Sequence, residues 1–297
     1  MKDNIKAALS SKKILPYYFL FPLMAVVVLF IVFPAAGTLF TSLFRDVTFL
    51  EAKFNFPDNY TRIFSESGFL RASGFTLLFV LVSVIIEMAA GILLAVLLNE
   101  SIPGRGFLRV SVLIPWAIPV AVSGRVWELI YNYSYGLANF LMIKTGLAAS
   151  PVNWLGSEAG AFFALVTADA WKTIPFVAII ILAGLQSISG ELYEQAKTDG
   201  ANIFKRFYYI TLPVLKPVII VALLFRTIDA LRVFDVIFVI TGGGPGGATN
   251  SLSVYAYKYF LSGDFGAGSA VSVVLFLTAL VFSLFYIYAG RFSEGLK

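Results

Sequence analysis

Long apolar runs separated by short polar stretches dominate the chain. Six runs reach the roughly 20 residues that a helix needs to cross a bilayer. They fall at residues 17–43, 70–98, 108–131, 160–186, 213–241 and 267–290. The first is far longer than the ~7–15-residue apolar core of a signal peptide and reads as a retained anchor. Between the runs, residues 150–158 are turn-rich and carry Pro151 and Trp154, the latter an interfacial type of residue. Residues 241–250 read TGGGPGGATN, too flexible and proline-broken for a helix. The pattern predicts an all-α membrane protein with six transmembrane helices.

Composition agrees. The 297 residues are 59% hydrophobic and 13% charged, against roughly 45–50% and 25% in soluble domains. So little charge cannot cover a soluble protein of this size, and lipid must solvate most of the chain. Cysteine and histidine are both absent. That excludes thiolate chemistry, disulfides, most zinc sites and imidazole catalysis, and no cofactor or metal is expected in this chain. The net charge of +5 forms no clustered basic stripe, so no nucleic-acid partner is expected. The glycine run at 241–247 lacks the terminal Gly-Lys-Ser/Thr of a phosphate-binding loop, and no such motif occurs elsewhere. The chain is therefore not expected to bind ATP by that means.

Basic residues set orientation. With the N-terminus inside, Lys2, Lys6, Lys12, Lys13, Arg105, Arg109, Lys197, Lys205, Arg206, Lys216, Arg291 and Lys297 face the cytoplasm. Arg45, Lys53, Arg62, Arg71, Lys144 and Lys258 face out. Twelve against six favours both termini in the cytoplasm.

The polar stretch 190–217, GELYEQAKTDGANIFKRFYYITLPVLKP, lies on the cytoplasmic side in this arrangement. Residues 191–199 form a short helix candidate with acidic residues at its positive end. Gly200 then suits a left-handed turn. A second helical segment, 201–210, leads to Leu212-Pro213, where the fifth span is expected to start, since proline is tolerated in a helix's first turn. On physics alone this is either a helix–turn–helix knob for a cytoplasmic partner or an ordinary solvated loop.

The same stretch resembles the EAA loop of ABC importer permeases: Glu-Ala-Ala, three residues, Gly, nine residues, Ile-x-Leu-Pro. The chain has Glu194-Gln195-Ala196, Asp199-Gly200 and Ile210-Thr211-Leu212-Pro213 at that spacing. Gln195 replaces the first alanine and is also a good helix former. NESIPGRGFLR at 99–109, LIPWAIP at 113–119, WKTIP at 171–175 and TGGGP at 241–245 are similar to maltose- and trehalose-type sugar permeases. The resemblance implies the type I importer permease fold. Residues 1–69 would form the cytoplasmic N-terminus, anchor helix and outer loop, 70–290 the transmembrane core, and 291–297 a cytoplasmic tail. It implies a multi-pass protein of the bacterial or archaeal inner membrane. A second homologous permease, two ATPase subunits and an extracytoplasmic solute-binding protein would complete the importer. Glu194, Ala196, Asp199, Gly200, Ile210, Leu212 and Pro213 would couple it to the ATPase. It further implies sugar contacts at Trp116, Asp169, Lys172, Thr173, Phe176, Arg226 and Ala230. The residue after Pro119, which contributes in the family, is Val120 here and cannot hydrogen-bond. The fifth span, FRTIDALRVFD, looks most like permeases for trehalose, maltose and related α-glucosides, with glycerol-phosphate as an alternative that Arg226, Arg232 and Lys172 would serve.

Charges within spans cost at least about 2.5–3.5 kcal/mol each at a helix centre and face protein or a watery cavity. Arg226, Asp229, Arg232 and Asp235 recur every third residue, one stripe of alternating sign on a helix. It reads either as a lining for sugar hydroxyls, with Asp229 among the contacts, or as a structural ion-pair network with a partner permease. Asp169 and Lys172 lie near the outer end of the fourth span, where snorkelling is available. Arg125 and Glu128 are spaced to pair. Trp116 lies between Pro115 and Pro119, which are expected to bend or interrupt the third span; an interfacial belt position is its other reading. A secondary transporter would use Glu87 or Asp169 for ion coupling. An intramembrane enzyme would have only the Asp169/Asp229 pair, and a passive channel would need rings of like charge.

Overall fold

The computed structural model describes residues 15–101 and 103–290. The expectations for 1–14 and 291–297, with Lys2, Lys6, Lys12, Lys13, Arg291 and Lys297, lie outside the described residues, as does Ile102 of the 99–109 stretch.

Helix α1 (Tyr17–Ser42) keeps its apolar side chains exposed along most of its length, as a lipid-facing helix does. A short antiparallel pair, β1 (Phe44–Arg45) and β2 (Lys53–Phe54), follows. Then come α2 (Asp58–Ser65), α3 (Ser67–Asn99), α4 (Arg105–Ala117), α5 (Val120–Ile130), α6 (Leu137–Lys144) and α7 (Glu158–Gln186). The short α8 (Gly190–Thr198) precedes the long α9 (Ile203–Leu231). The chain closes with α10 (Asp235–Ile240), α11 (Leu252–Leu261) and α12 (Phe265–Gly290).

Among the described residues five helices, α1, α3, α7, α9 and α12, are long and apolar enough to span a bilayer. The pair α4/α5 makes a sixth span if taken together, bent by 89° at residues 118–119. The expected interruption of the third span is therefore a near right angle. Pro119 cannot donate into α4's hydrogen-bond ladder, and it opens α5 as its N-cap.

Two boundaries differ from expectation. The fifth span does not start at Leu212-Pro213, because α9 runs unbroken from Ile203. A π-helical turn at Phe207–Thr211 makes this possible: the Leu212 amide reaches back to the Phe207 carbonyl, five residues away. The widened turn accommodates a proline that would otherwise clash with the carbonyl four residues behind it. The same device precedes Pro34 in α1, at Val28–Val32. At its other end α9 stops at Leu231 rather than running on to residue 241. The stripe is cut there: Arg226 and Asp229 lie on α9, Arg232 caps it, and Asp235 begins α10.

The core lies where α3, α7 and α9 cross. Met88, Ala95, Val177, Ile181, Leu215 and Ala222 are all buried there. Gly91 on α3 permits the close approach: a Cβ at this position would lie 2.5 Å from Cγ1 of Val177. The glycine-rich segment 241–250 is a chain of turns rather than a slack tether. Thr249 donates to the Gly244 carbonyl at 2.6 Å, and Ser251 donates to the Val233 carbonyl at 2.7 Å.

Overpacking of a tight helix crossing costs about 1–3 kcal/mol. Gly91→Val is expected to lower the thermal unfolding temperature of the detergent-solubilised protein. Gly74→Ala on the same helix, where a Cβ meets nothing within 4 Å, is expected to leave it unchanged or raise it.

Candidate functional site

An ionic cluster sits where α3, α7 and α9 meet. Its hub is Arg226, only 2% exposed. The Arg226 Nε donates to Oε2 of Glu87 at 2.6 Å, Nη1 to Oδ2 of Asp229 at 2.7 Å and Nη2 to Oδ2 of Asp169 at 3.2 Å. Thr173 donates its hydroxyl to Oε1 of Glu87 at 2.8 Å and lies 2.7 Å from the Asp169 carbonyl. On the cavity side, Asp229 takes a further bond from Nη2 of Arg232 at 3.0 Å. Exposure rises outward through the cluster. The Glu87 and Arg226 side chains are buried, Asp169 is 15% exposed, Asp229 50% and Arg232 72%.

The stripe's first three members thus pair with one another and with α3 and α7 of the same chain. The alternating signs make an internal network whose outer rung, Asp229 and Arg232, is its most exposed part. Glu87, read in the sequence as an intramembrane charge and as a carboxylate for ion coupling in a secondary transporter, proves to be the deepest partner of Arg226. No spacing signal joins residues 139 apart in sequence; a lone carboxylate in an apolar helix was the only hint.

Beside the cluster stands an aromatic platform. The Trp116 and Phe176 rings stack at 5.9 Å with a 16° interplanar angle, and Phe225 meets Phe176 edge-on at 6.5 Å. Trp116 is half exposed. Two adjoining cavities of about 400 and 410 Å³ share Thr173, Asp229 and Arg232 in their linings. Trp116, Phe176 and Phe225 line one; Val120, Asp169 and Lys172 line the other. Their volumes fall in the ~300–1,000 Å³ range of small-ligand pockets. Ala230 is buried at 2% exposure and lines neither cavity. Lys172 does not snorkel outward. Its ammonium turns to the end of α4, where it meets the carbonyls of Pro115, Trp116 and Ile118. Trp154 donates its indole N–H to Oδ1 of Asn139 at 2.8 Å within the fold.

At the other end of α7 the short helix and the left-handed turn expected at residues 191–200 are present. Ser189 caps α8, accepting from the Glu191 amide. Gly200 takes φ +76°, and the Gly200 amide bonds the Lys197 carbonyl while the Ala201 amide bonds that of Ala196. These two bonds define a Schellman motif, which calls for a left-handed residue at Gly200. Asn202 then caps α9. Glu194 is largely exposed and pairs with Lys197 at 2.6 Å, an exposed pair worth about 0–1 kcal/mol. The Tyr193 hydroxyl lies 2.8 Å from that of Thr211, tying α8 to α9. Of the other motif residues, Ile210 packs against the core at the α9 start, and Leu212 and Pro213 sit on the turn after the π-helical segment.

Arg125 and Glu128 pair at 2.5 Å on an exposed face of α5. At the opposite end of the bundle, Arg62 bonds Asp264 at 2.8 Å, and Glu66 accepts from the hydroxyls of Tyr255 and Tyr259. Burial, with the Glu66 carboxylate alongside, raises the Tyr259 pKa well above the usual phenol range.

Residues 87–293 match the family described as binding-protein-dependent transport system inner membrane component. The chain belongs to that family. This permease is 51% identical to the trehalose/maltose transport system permease protein MalF of Thermococcus litoralis, over 99% of this chain and 100% of the relative. It is 38% identical to the sulfoquinovosyl glycerol transport system permease protein SmoG of Agrobacterium fabrum, over 95% and 92%. Against the trehalose transport system permease protein SugA of Mycobacterium tuberculosis the figures are 36%, 77% and 72%. Among solved structures, a bacterial alginate ABC transporter in complex with an alginate pentasaccharide-bound periplasmic protein superimposes with a TM-score of 0.82 at 26% identity. The match covers 95% of the permease and 97% of that chain. The fold is therefore that of ABC importer permeases, and the chain is a non-catalytic, multi-pass transport subunit of the inner membrane.

Removing one partner of a buried ion pair leaves the other uncompensated and costs about 3–5 kcal/mol. Arg226→Met is expected to lower the thermal stability of the purified permease by that order. The double variant Arg226→Met/Glu87→Leu is expected to recover part of the loss, read by thermal unfolding in detergent.

Proposed function

We propose that this permease carries a neutral disaccharide of the trehalose/maltose class through an ATP-driven importer. The observation that supports this most directly is the Trp116–Phe176 platform beside the exposed Asp229–Arg232 rung. Pyranose rings present apolar faces that stack on aromatic rings and edge hydroxyls that bond carboxylate and guanidinium groups. The names of the Thermococcus and Mycobacterium relatives point to the same substrate class. The alternating charges make the rung neutral overall, which favours a hydroxyl-rich neutral solute over a phosphate. Among the residues expected to touch sugar, Trp116, Phe176, Asp229 and Thr173 line the cavity. Arg226, though 2% exposed, reaches the lining of the same cavity while it holds the cluster, and Ala230 packs the wall from behind.

In the proposed importer, α8 seats in a cleft of an ATPase subunit that carries the nucleotide and magnesium. A second permease completes the pathway, and a solute-binding protein docks on the outer side, at the end carrying Arg62, Glu66 and Asp264. Both termini are cytoplasmic. Closure of the ATPases moves α8, and the transporter alternates between inward- and outward-facing states whose populations nucleotide and loaded binding protein bias.

The decisive experiment measures ATP hydrolysis by the assembled transporter with binding protein alone and then with trehalose, maltose or an anionic glycoside. Stimulation by a neutral disaccharide is expected. Stimulation only by the anionic glycoside would overturn the substrate class, and failure of any ATPase subunit to co-purify would overturn the coupling reading. In the same assay Trp116→Ala is expected to raise KM by about tenfold, the loss of roughly one aromatic contact, with assembly intact. Gly200→Val, forced into a left-handed backbone, is expected to lose most coupled transport while still inserting. Gly200→Asn, which tolerates that backbone, retains more of it.

A further inference from the structure

Lys172 is nine-tenths buried and stands on α7 opposite the point where α4 stops. A helix that ends leaves its last carbonyls without amide partners. Here proline deepens the deficit. Pro119 has no N–H to give to the Pro115 carbonyl four residues before it, and the 89° bend carries the following residues out of the α4 ladder. The Lys172 ammonium fills the gap. It donates to the carbonyl of Trp116 at 3.0 Å, to that of Ile118 at shorter range and to that of Pro115 at 3.5 Å. An ammonium has three donors and no acceptor, so these three carbonyls occupy it fully. Its charge also suits the negative end of a helix dipole. One turn along α7, Phe176 stacks on the Trp116 ring. Positions i and i+4 of one helix thus hold the backbone and the ring of the same tryptophan.

We infer that Lys172 is a positioning residue: its ammonium clamps the end of α4 so that Trp116 keeps its stacked orientation, and it does not itself bind the transported solute. The clamp stands on geometry alone; its consequence for uptake rests on the disaccharide reading above.

The chain has no cysteine, so Ile118→Cys introduces a single thiol whose backbone carbonyl can still accept from Lys172. In the assembled transporter, the rate of labelling of that thiol by a small methanethiosulfonate reagent reports the order of the bend without any sugar. Adding Lys172→Met is expected to speed labelling by about tenfold, the scale of one lost hydrogen bond to a charged donor. Lys172→Arg is expected to keep labelling slow. An unchanged rate with Lys172→Met overturns the clamp.

Uptake of trehalose and of a set of its monodeoxy analogues by reconstituted transporter then separates positioning from direct contact. If Lys172 acts through Trp116, Lys172→Met raises KM for every analogue by the same factor, with little change in kcat. Added to Trp116→Ala, it then has no further effect, because residues acting as a unit are non-additive. Multiplying KM effects, or a loss that disappears with one deoxy analogue, mean that Lys172 bonds a hydroxyl and overturn the inference. If Trp116→Ala leaves uptake unchanged while Lys172→Met still speeds labelling, the clamp stands and the sugar reading at Trp116 falls.

Discussion

A guanidinium in the middle of an apolar bundle is the constraint on which the rest of this structure turns. Arg226 cannot be solvated by lipid, and at 2% exposure it cannot reach water. It is tolerated because three carboxylates from three helices converge on it. The requirement runs both ways. Glu87 on α3 and Asp169 on α7 would each be untenable without Arg226, so the cluster stabilises the crossing of α3, α7 and α9 in one register. Asp229 also reaches toward the cavity, where it pairs with Arg232 in a wetter place. The cavity-facing rung is thus an extension of the structural network.

Proline poses a second constraint, met at Pro34 and Pro213 in one way and at Pro119 in another. In α1 and α9 a π-helical turn lies just ahead of Pro34 and Pro213 and lets the helix continue. Between α4 and α5 the chain turns by 89° instead, and a lysine from the neighbouring helix takes up the stranded carbonyls. The difference matters for function. A bridged proline leaves a smooth helix among neighbours, whereas a turned one brings backbone and a half-exposed tryptophan to a cavity wall.

The loop at residues 190–217 and the charge cluster share one helix. Tyr193 links α8 to α9 through Thr211, and α9 then runs without a break to Arg226 and Asp229. In the proposed importer a displacement of α8 reaches the cavity along a single helical element. The π-helical turn at Phe207–Thr211 lies between the two and is the natural place for that element to flex.

Much of this was written in linear pattern. Apolar runs predict five of the spans to within a few residues, because a helix in lipid satisfies its own backbone and needs only length and apolarity. The loop 190–217 was equally legible, since its caps and its left-handed glycine are local features, and membership of the permease family was readable in its spacing. Tertiary structure decided what depends on distant neighbours. That α9 starts at Ile203 followed from a shifted hydrogen bond around Pro213. That the stripe breaks after Leu231 followed from packing against the segment around Ser251. Above all, Arg226 finds Glu87 and Asp169 at 139 and 57 residues away, and Lys172 finds its carbonyls at 54–57. Periodicity offered only the Asp229 pairing three residues on and does not record which charges must neutralise each other across three helices.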